Sequence, residues 1–241
     1  MVHVYFSCIV QYNSDDEGGP KMSEKEISER RNENRNKIIE KLLSYVRKNG
    51  FLSLTMDEIS KISGVSRATL YKYFSTKDDI IEFLVHEFVR NIEEVIEEEG
   101  ATRLGIRFQE IFEKSVMLRE FLTRIFLHDL EQSYPDQYEL LKQTMKRRDE
   151  QQLRFYEVGQ SQGIFNPVNG KLIALQDEIL LYMLDAQFLL ENNLTVYQAL
   201  YDYYQLRKFQ LFRTEKLHLV DDQIFLPKLE YMAQKITRNL F

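Results

Sequence analysis

Apolar positions recur at helical spacing along most of this 241-residue chain, and no stretch of useful length alternates apolar with polar as a half-buried strand would. The pattern predicts an all-α fold. Ile38, Ile39, Leu42, Leu43 and Val46 mark one face of a first helix over 35–48, closed by Asn49-Gly50, with Phe51 and Leu54 pinning the loop that follows. A charged stretch before it, 23–34, extends this helix as a solvated arm. Its Arg30 and Arg31, with Arg35, either reach a polyanion or pair locally with Glu26, Glu29 and Glu33.

The next stretch, 55–77, predicts two short helices joined by a tight turn. Thr55 and Glu58 have capping-box spacing, and Met56, Ile59 and Ile62 give the first helix its apolar face. Gly64 suits a left-handed turn, Val65 plugs the space between the helices, and Ser66 caps the second. Leu70, Tyr73 and Phe74 then face a core, leaving Arg67, Ala68, Thr69, Tyr71 and Lys72 outside. Ser75 and Asp78 repeat the capping pattern and start a fourth helix carrying Ile80, Ile81, Leu84, Val85 and Phe88 toward Glu99.

Beyond it, the pattern predicts a long helix over 104–130 with Ile106, Phe108, Ile111, Phe112, Val116, Phe121, Ile125 and Phe126 inside and a break near Met117 to Arg119. Pro135 separates it from a helix over 138–162, and Gly163 to Pro167 supplies a loop. Helices over 171–191 and from Thr195 to about Lys216 follow as an antiparallel pair, and Pro227 introduces a short last helix.

The 55–77 stretch is a helix-turn-helix by pattern, and from 35 to 88 the sequence resembles the DNA-binding signature of TetR-family transcriptional regulators. The residues that carry the likeness are the Thr-started helix, Gly64-Val65-Ser66, then Thr69-Leu70-Tyr71-Lys72-Tyr73-Phe74 and Lys77. Helix-turn-helix geometry sends the second helix into the major groove. It makes Arg67, Ala68, Thr69 and Lys72 candidate base contacts and Thr55, Ser66 and Lys77 candidate phosphate contacts, with Arg67 able to hold guanine bidentately. The resemblance adds Tyr71 to the phosphate contacts, against the alternative that it is a core aromatic. It also implies a dimer through the two penultimate long helices, with Leu180, Leu184, Phe188, Tyr204 and Phe212 as candidates, and an effector cavity in the body, with Phe112, Phe126, Tyr156 and Tyr182 as candidates. Plain core is the competing assignment for each pocket candidate.

Charge sharpens this picture. Residues 25–77 hold twelve Lys or Arg against six Asp or Glu, so a chain of net charge −6 divides into +6 there and −12 elsewhere. One end suits a polyanion. The 44% hydrophobic content is that of a folded protein, no apolar run reaches the length of a membrane span, and Cys8 is the only cysteine, so neither an internal disulfide nor a cysteine metal site can form. These features point to a cytoplasmic protein. Residues 1–22 read as a disordered tail or a start-site extension ahead of Met22, 23–88 as the DNA-binding domain, and 89–241 as the effector-binding and dimerisation domain. The four histidines are scattered, no metalloprotease, phosphate-loop or nucleophile-elbow motif occurs, and His128-Asp129 alone hints at a metal, so the expectation is no catalytic residue, metal or cofactor. The expected function is a homodimeric repressor of a pseudo-palindromic operator, released by a small apolar or amphipathic effector. An adaptor or co-activator acting through protein contacts, and a regulator with no effector, are the alternatives.

Overall fold

The computed structural model describes residues 24–93 and 103–240. The expected N-terminal tail and the run of the fourth helix past Glu93 lie outside them. Among the described residues the regular structure is helical, apart from one isolated antiparallel bridge between Phe165 and Phe212.

The head is α1 (Glu24–Asn49), α2 (Met56–Ser63), α3 (Arg67–Tyr73) and the start of α4 (Lys77–Glu93). The charged arm and the apolar segment form one helix, α1, whose Ile38, Ile39, Leu42, Leu43 and Val46 are buried. Thr55 and Glu58 close a full capping box on α2, and Gly64 ends it at φ 69°, a left-handed conformation glycine adopts without steric cost. Ser66 caps α3 by accepting from the Thr69 N–H. The start of α4 differs from expectation. Asp79, and not Asp78, accepts from the Ser75 and Thr76 N–H groups, while the Thr76 hydroxyl caps Asp79 N. Asp78 is left to accept from the Tyr134 hydroxyl.

The body is α5 (Leu104–Phe121), α6 (Arg124–Ser133), α7 (Pro135–Ser161), α8 (Gly170–Leu175), α9 (Ile179–Met183), α10 (Ala186–Glu191), α11 (Val196–Leu211) and α12 (Asp222–Leu240). Several expectations are corrected here. The 104–130 helix breaks at Leu122, three residues past the expected span, because Thr123 caps a new helix through the Phe126 N–H. Ile106 and Ile125 are 46% and 45% exposed instead of inside. The expected 171–191 helix is three pieces: a 3-10 turn over Gln176–Glu178 separates α8 from α9, and extended Asp185 turns its carboxylate onto the Gln187 and Phe188 N–H groups and restarts the chain as α10. α11 stops at Leu211 because Asn166 N donates to Leu211 O and Arg213 N to Ile164 O, drawing Phe212 into the bridge with Phe165. The last helix begins five residues before Pro227, with Asp221 accepting from Gln223 N and Ile224 N. Proline near a helix start forfeits one hydrogen bond without ending the helix. α11 packs chiefly on α12, so the antiparallel pair expected from adjacent segments is replaced by one with the C-terminal helix.

Phe108, Phe112, Tyr204, Phe212 and Phe225 form the centre of the body, with Phe112 and Tyr204 meeting edge to face at 5.3 Å. Head and body are joined where α1 ends. Gly50, at φ 73°, sits so close to α6 that a Cβ would meet Asp129 Oδ2 at 2.3 Å. That oxygen accepts from Phe51 N at 2.7 Å and Leu52 N at 3.2 Å, while Phe51 packs on Phe126. Asp129 is thus a tie across the junction. Beside it, buried Arg47 donates to Glu120, which also accepts from Asn239 of α12.

Candidate nucleic-acid interface

The geometry of the head sorts its polar residues into those that hold it together and those it displays. Leu70 and Phe74 are buried on one side of α3, while Arg67, Ala68, Thr69, Tyr71 and Lys72 are exposed. Positions 67, 68, 71 and 72 share one face at helical spacing. Tyr71 is 48% exposed, which removes the core-aromatic alternative. Arg67 reaches back to Asp57 of α2 in a 2.5 Å ion pair with both side chains in solvent. Such a pair is weak and exchangeable, so it orients the guanidinium without withdrawing it.

The expected phosphate contacts have other work in the unbound head. Thr55 Oγ1 donates to Glu58 and accepts from its N–H, and Ser66 Oγ lies 2.8 Å from Thr69 Oγ1 while accepting from Thr69 N. Lys77 donates to Leu52 O at 2.7 Å, and partial burial pushes its pKa below the ordinary lysine value. It staples the turn after α1 to the start of α4. Arg35 is also structural: its guanidinium lies over Phe74 and Phe83 and its Nε donates to Tyr73 O.

Residues 38–84 match the family model described as bacterial regulatory proteins, tetR family. The chain carries a TetR-family head. An uncharacterised helix-turn-helix-type transcriptional regulator of Bacillus subtilis is 30% identical over 59 residues, which is 24% of this chain and 30% of that protein. The chain therefore spans under a third of that curated relative in the match. A choline-bound crystal structure of a regulator from Saccharomonospora viridis shares the fold at TM-score 0.51 and 16% identity, over 75% of this chain and 98% of that one. A TetR transcription regulator from Haloarcula marismortui aligns over 86% of this chain and 96% of its own at 16% identity and TM-score 0.36. In the TetR-family head, then, α2 and α3 are the two helices of the helix-turn-helix, with α3 in the place of the recognition helix.

The body does not gather the four pocket candidates into one site. Phe126 packs on Phe51 and Phe88 at the junction, and Phe112 lies in the central aromatic cluster. Tyr182 is 57% exposed with its hydroxyl on Arg124. Tyr156 is buried, and desolvation pushes its pKa up to about 12 while its hydroxyl accepts from Arg207. The dimer candidates divide likewise. Leu180, Tyr204 and Phe212 are buried within the chain itself and offer a second copy no surface; Leu184 is half-buried, and Phe188 lies partly at the surface. The TetR-family pattern missed the polar heart of the body. Asp177 lies between two buried arginines, accepting from Arg207 at 2.6 Å and from Ser115 at 3.0 Å, with Arg148 Nη2 at 3.9 Å. Three charged residues spread over 60 positions leave no local signal. Among the described residues no group of three or more His, Cys, Asp or Glu could hold a metal, and no helix is long and apolar enough to cross a membrane.

Proposed function

We propose that this chain is a sequence-specific transcriptional regulator that binds a pseudo-palindromic operator as a homodimer, acting as a repressor that a small effector releases. The single observation carrying this reading is the solvent-facing array of Arg67, Ala68, Thr69, Tyr71 and Lys72 on α3 of a TetR-family head. Arg67 leaves Asp57 for a base edge, Tyr71 places its hydroxyl on a phosphate, and Lys77 at the start of α4 adds backbone affinity. Residues 23–88 form the DNA-binding part and 89–241 the part that dimerises and senses.

The dimer surface we assign differs from the one expected. Leu172, Leu175, Ile179 and Tyr182 are exposed at spacings of three and four along α8 and α9. Exposed Leu206 and Phe209 flank Arg207 and Lys208 on α11, and Arg207 bonds Ile173 O, so the two surfaces neighbour each other. An apolar stripe of this kind is a natural isologous interface. The choline-bound relative is a precedent for a small molecule in this fold.

Selection of sites from random duplex DNA at two salt concentrations tests the reading. The expected product is an inverted repeat bound more weakly as salt rises. Arg67→Ala should lose about 1–3 kcal/mol of discrimination at one base position per half-site, while Lys77→Ala weakens all sequences alike and flattens the salt slope. Enrichment of no motif by the folded dimer would move the assignment to an adaptor working through protein contacts.

A further inference from the structure

An acid stands on the side of the head offered to DNA. Of the carboxylates between 55 and 79, Glu58 is held in the α2 capping box, Asp79 caps the start of α4 and Asp78 accepts from the Tyr134 hydroxyl. Asp57 is engaged differently. It meets Nη2 of Arg67, the first residue of α3, at 2.5 Å, and the two side chains are 45% and 65% exposed. The turn that carries Asp57 is fixed from both sides. Thr55 and Glu58 close the capping box around it, and the hydroxyl of buried Ser60 donates to Asp57 O at 2.8 Å. The carboxylate therefore hangs from a set point beside the N-terminus of α3, where a helix-turn-helix meets base edges.

That place is unfavourable for an acid without a partner, because DNA carries about one negative charge per 1.7 Å of its axis. When Arg67 turns to a guanine, the Asp57 carboxylate loses its cation while facing this polyanion. A carboxylate only accepts hydrogen bonds. In the major groove guanine and thymine present acceptors, whereas cytosine N4 and adenine N6 donate. Adenine N7 lies beside its amine and repels the second carboxylate oxygen; cytosine has a carbon–hydrogen edge there. Cytosine is thus the base that satisfies Asp57. Reach agrees, since a carboxylate one hydrogen bond from the guanidinium lies about one base step, roughly 3.4 Å, from the base the guanidinium holds.

We propose that Asp57 is a specificity-determining residue, accepting from the N4 amine of a cytosine in the base pair next to the guanine that Arg67 holds. The assignment rests on the reading of the chain as a sequence-specific regulator. It turns the ion pair into a coupled reader. In the free protein each side chain satisfies the other, and on DNA both find partners together only where guanine and cytosine are neighbours. A site with the guanine alone leaves the carboxylate against acceptors, so the wrong base is rejected by repulsion. The competing role is that of a first-turn acid complementing the α2 dipole, which carries no base preference.

Site selection from random duplex DNA with the parent, Asp57→Ala and Asp57→Asn tests the assignment, followed by titrations of duplexes carrying each base at the assigned position. The parent should prefer cytosine there about tenfold. Asp57→Ala should lose that preference, keep the guanine that Arg67→Ala abolishes, and bind unrelated DNA more tightly because a repelling charge is gone. Asp57→Asn, which donates as well as accepts, should move the preference to adenine, whose N6 and N7 suit an amide. Because the ion pair is exposed, both variants should melt within a few degrees of the parent. An unchanged motif in both variants, or an equal change of affinity for every duplex, would overturn the assignment and leave Asp57 a first-turn acid. Enrichment of no motif by the folded parent would refute the reading of the chain as a regulator, and the role of Asp57 with it. A motif that keeps its Arg67-dependent guanine but is indifferent to Asp57 would refute the assignment alone.

Discussion

In the head, the caps that start the helices join neighbours: Thr55 and Glu58 are three apart, as are Ser66 and Thr69. In the body, Asp177 meets Arg207 thirty residues later and Ser115 sixty-two earlier. Loss of any one cap should therefore cost the head little, whereas removing one buried charge should cost the body more. That difference suits a rigid reading module attached to a region whose electrostatic balance can change.

The contrast is broken most forcefully at Asp177. Asp177→Ala leaves Arg207 buried without a carboxylate and Arg148 with only half-solvated Asp149 at 3.5 Å, and should destabilise the chain by about 3–5 kcal/mol in urea unfolding. Rescue by the triple replacement with Arg148→Met and Arg207→Met would show that the penalty comes from stranded charge and not from lost packing. A cost below about 1 kcal/mol for Asp177→Ala alone would mean that the body is no more demanding than the head.

At the junction the expected effect is intermediate. Asp129→Ala strands the buried Phe51 N–H and the Leu52 N–H, which share one carboxylate oxygen, and should cost about 2–3 kcal/mol. The chain has no tryptophan, so a tryptophan placed at Tyr71 and another at Tyr231 in separate proteins would report head and body unfolding independently. Coincident transitions in the parent protein that separate in the Asp129→Ala background are the expected result. Transitions already separate in the parent would deny the junction its coupling role.

Within the head, Ser66→Ala removes the acceptor for Thr69 N and should cost about 1 kcal/mol, read as a small shift of the urea midpoint. The small size of this effect follows from how the head was legible. Capping boxes, a glycine turn and an apolar periodicity are written in adjacent positions, so α1, α2 and α3 could be placed from the sequence. Only the start of α4 slipped, because Ser75, Thr76, Asp78 and Asp79 offer competing caps. In the body the same signals misled. Asp185 is one acidic residue inside an apolar run, yet its side chain ends one helix and begins another. Pro227 looked like a start, but Asp221 had already satisfied the first turn. The polar network had no sequence signature at all, since Arg148 and Arg207 fit the polar positions of long helices. The exposed stripe of Leu172, Leu175 and Ile179 had one, but side chains pointing out and pointing in look alike until the fold is known.

The smallest effect has the sharpest sign. Glu58 in the head and Glu113 in the body should respond to pH in opposite directions. The Thr55 backbone N–H, then its hydroxyl, hold the Glu58 carboxyl below the ordinary value, so its contribution to stability is present above that value and is lost as pH falls through the lowered one. Burial raises Glu113 against the opposing influence of Lys228 and Lys114, so its contribution is present below the ordinary value and is lost as pH climbs through the raised one. Urea midpoints of the parent, Glu58→Gln and Glu113→Gln across the acid range should therefore give difference curves of opposite slope. Glu58→Gln loses a stabilising anion and falls behind the parent as pH rises from the acid limb. Glu113→Gln is relieved of a buried charge and gains on the parent over the interval above the ordinary glutamate value. Difference curves of the same sign would mean that the two carboxylates sit in equivalent surroundings, and that the division between a locally capped head and an electrostatically loaded body does not extend to its individual acids.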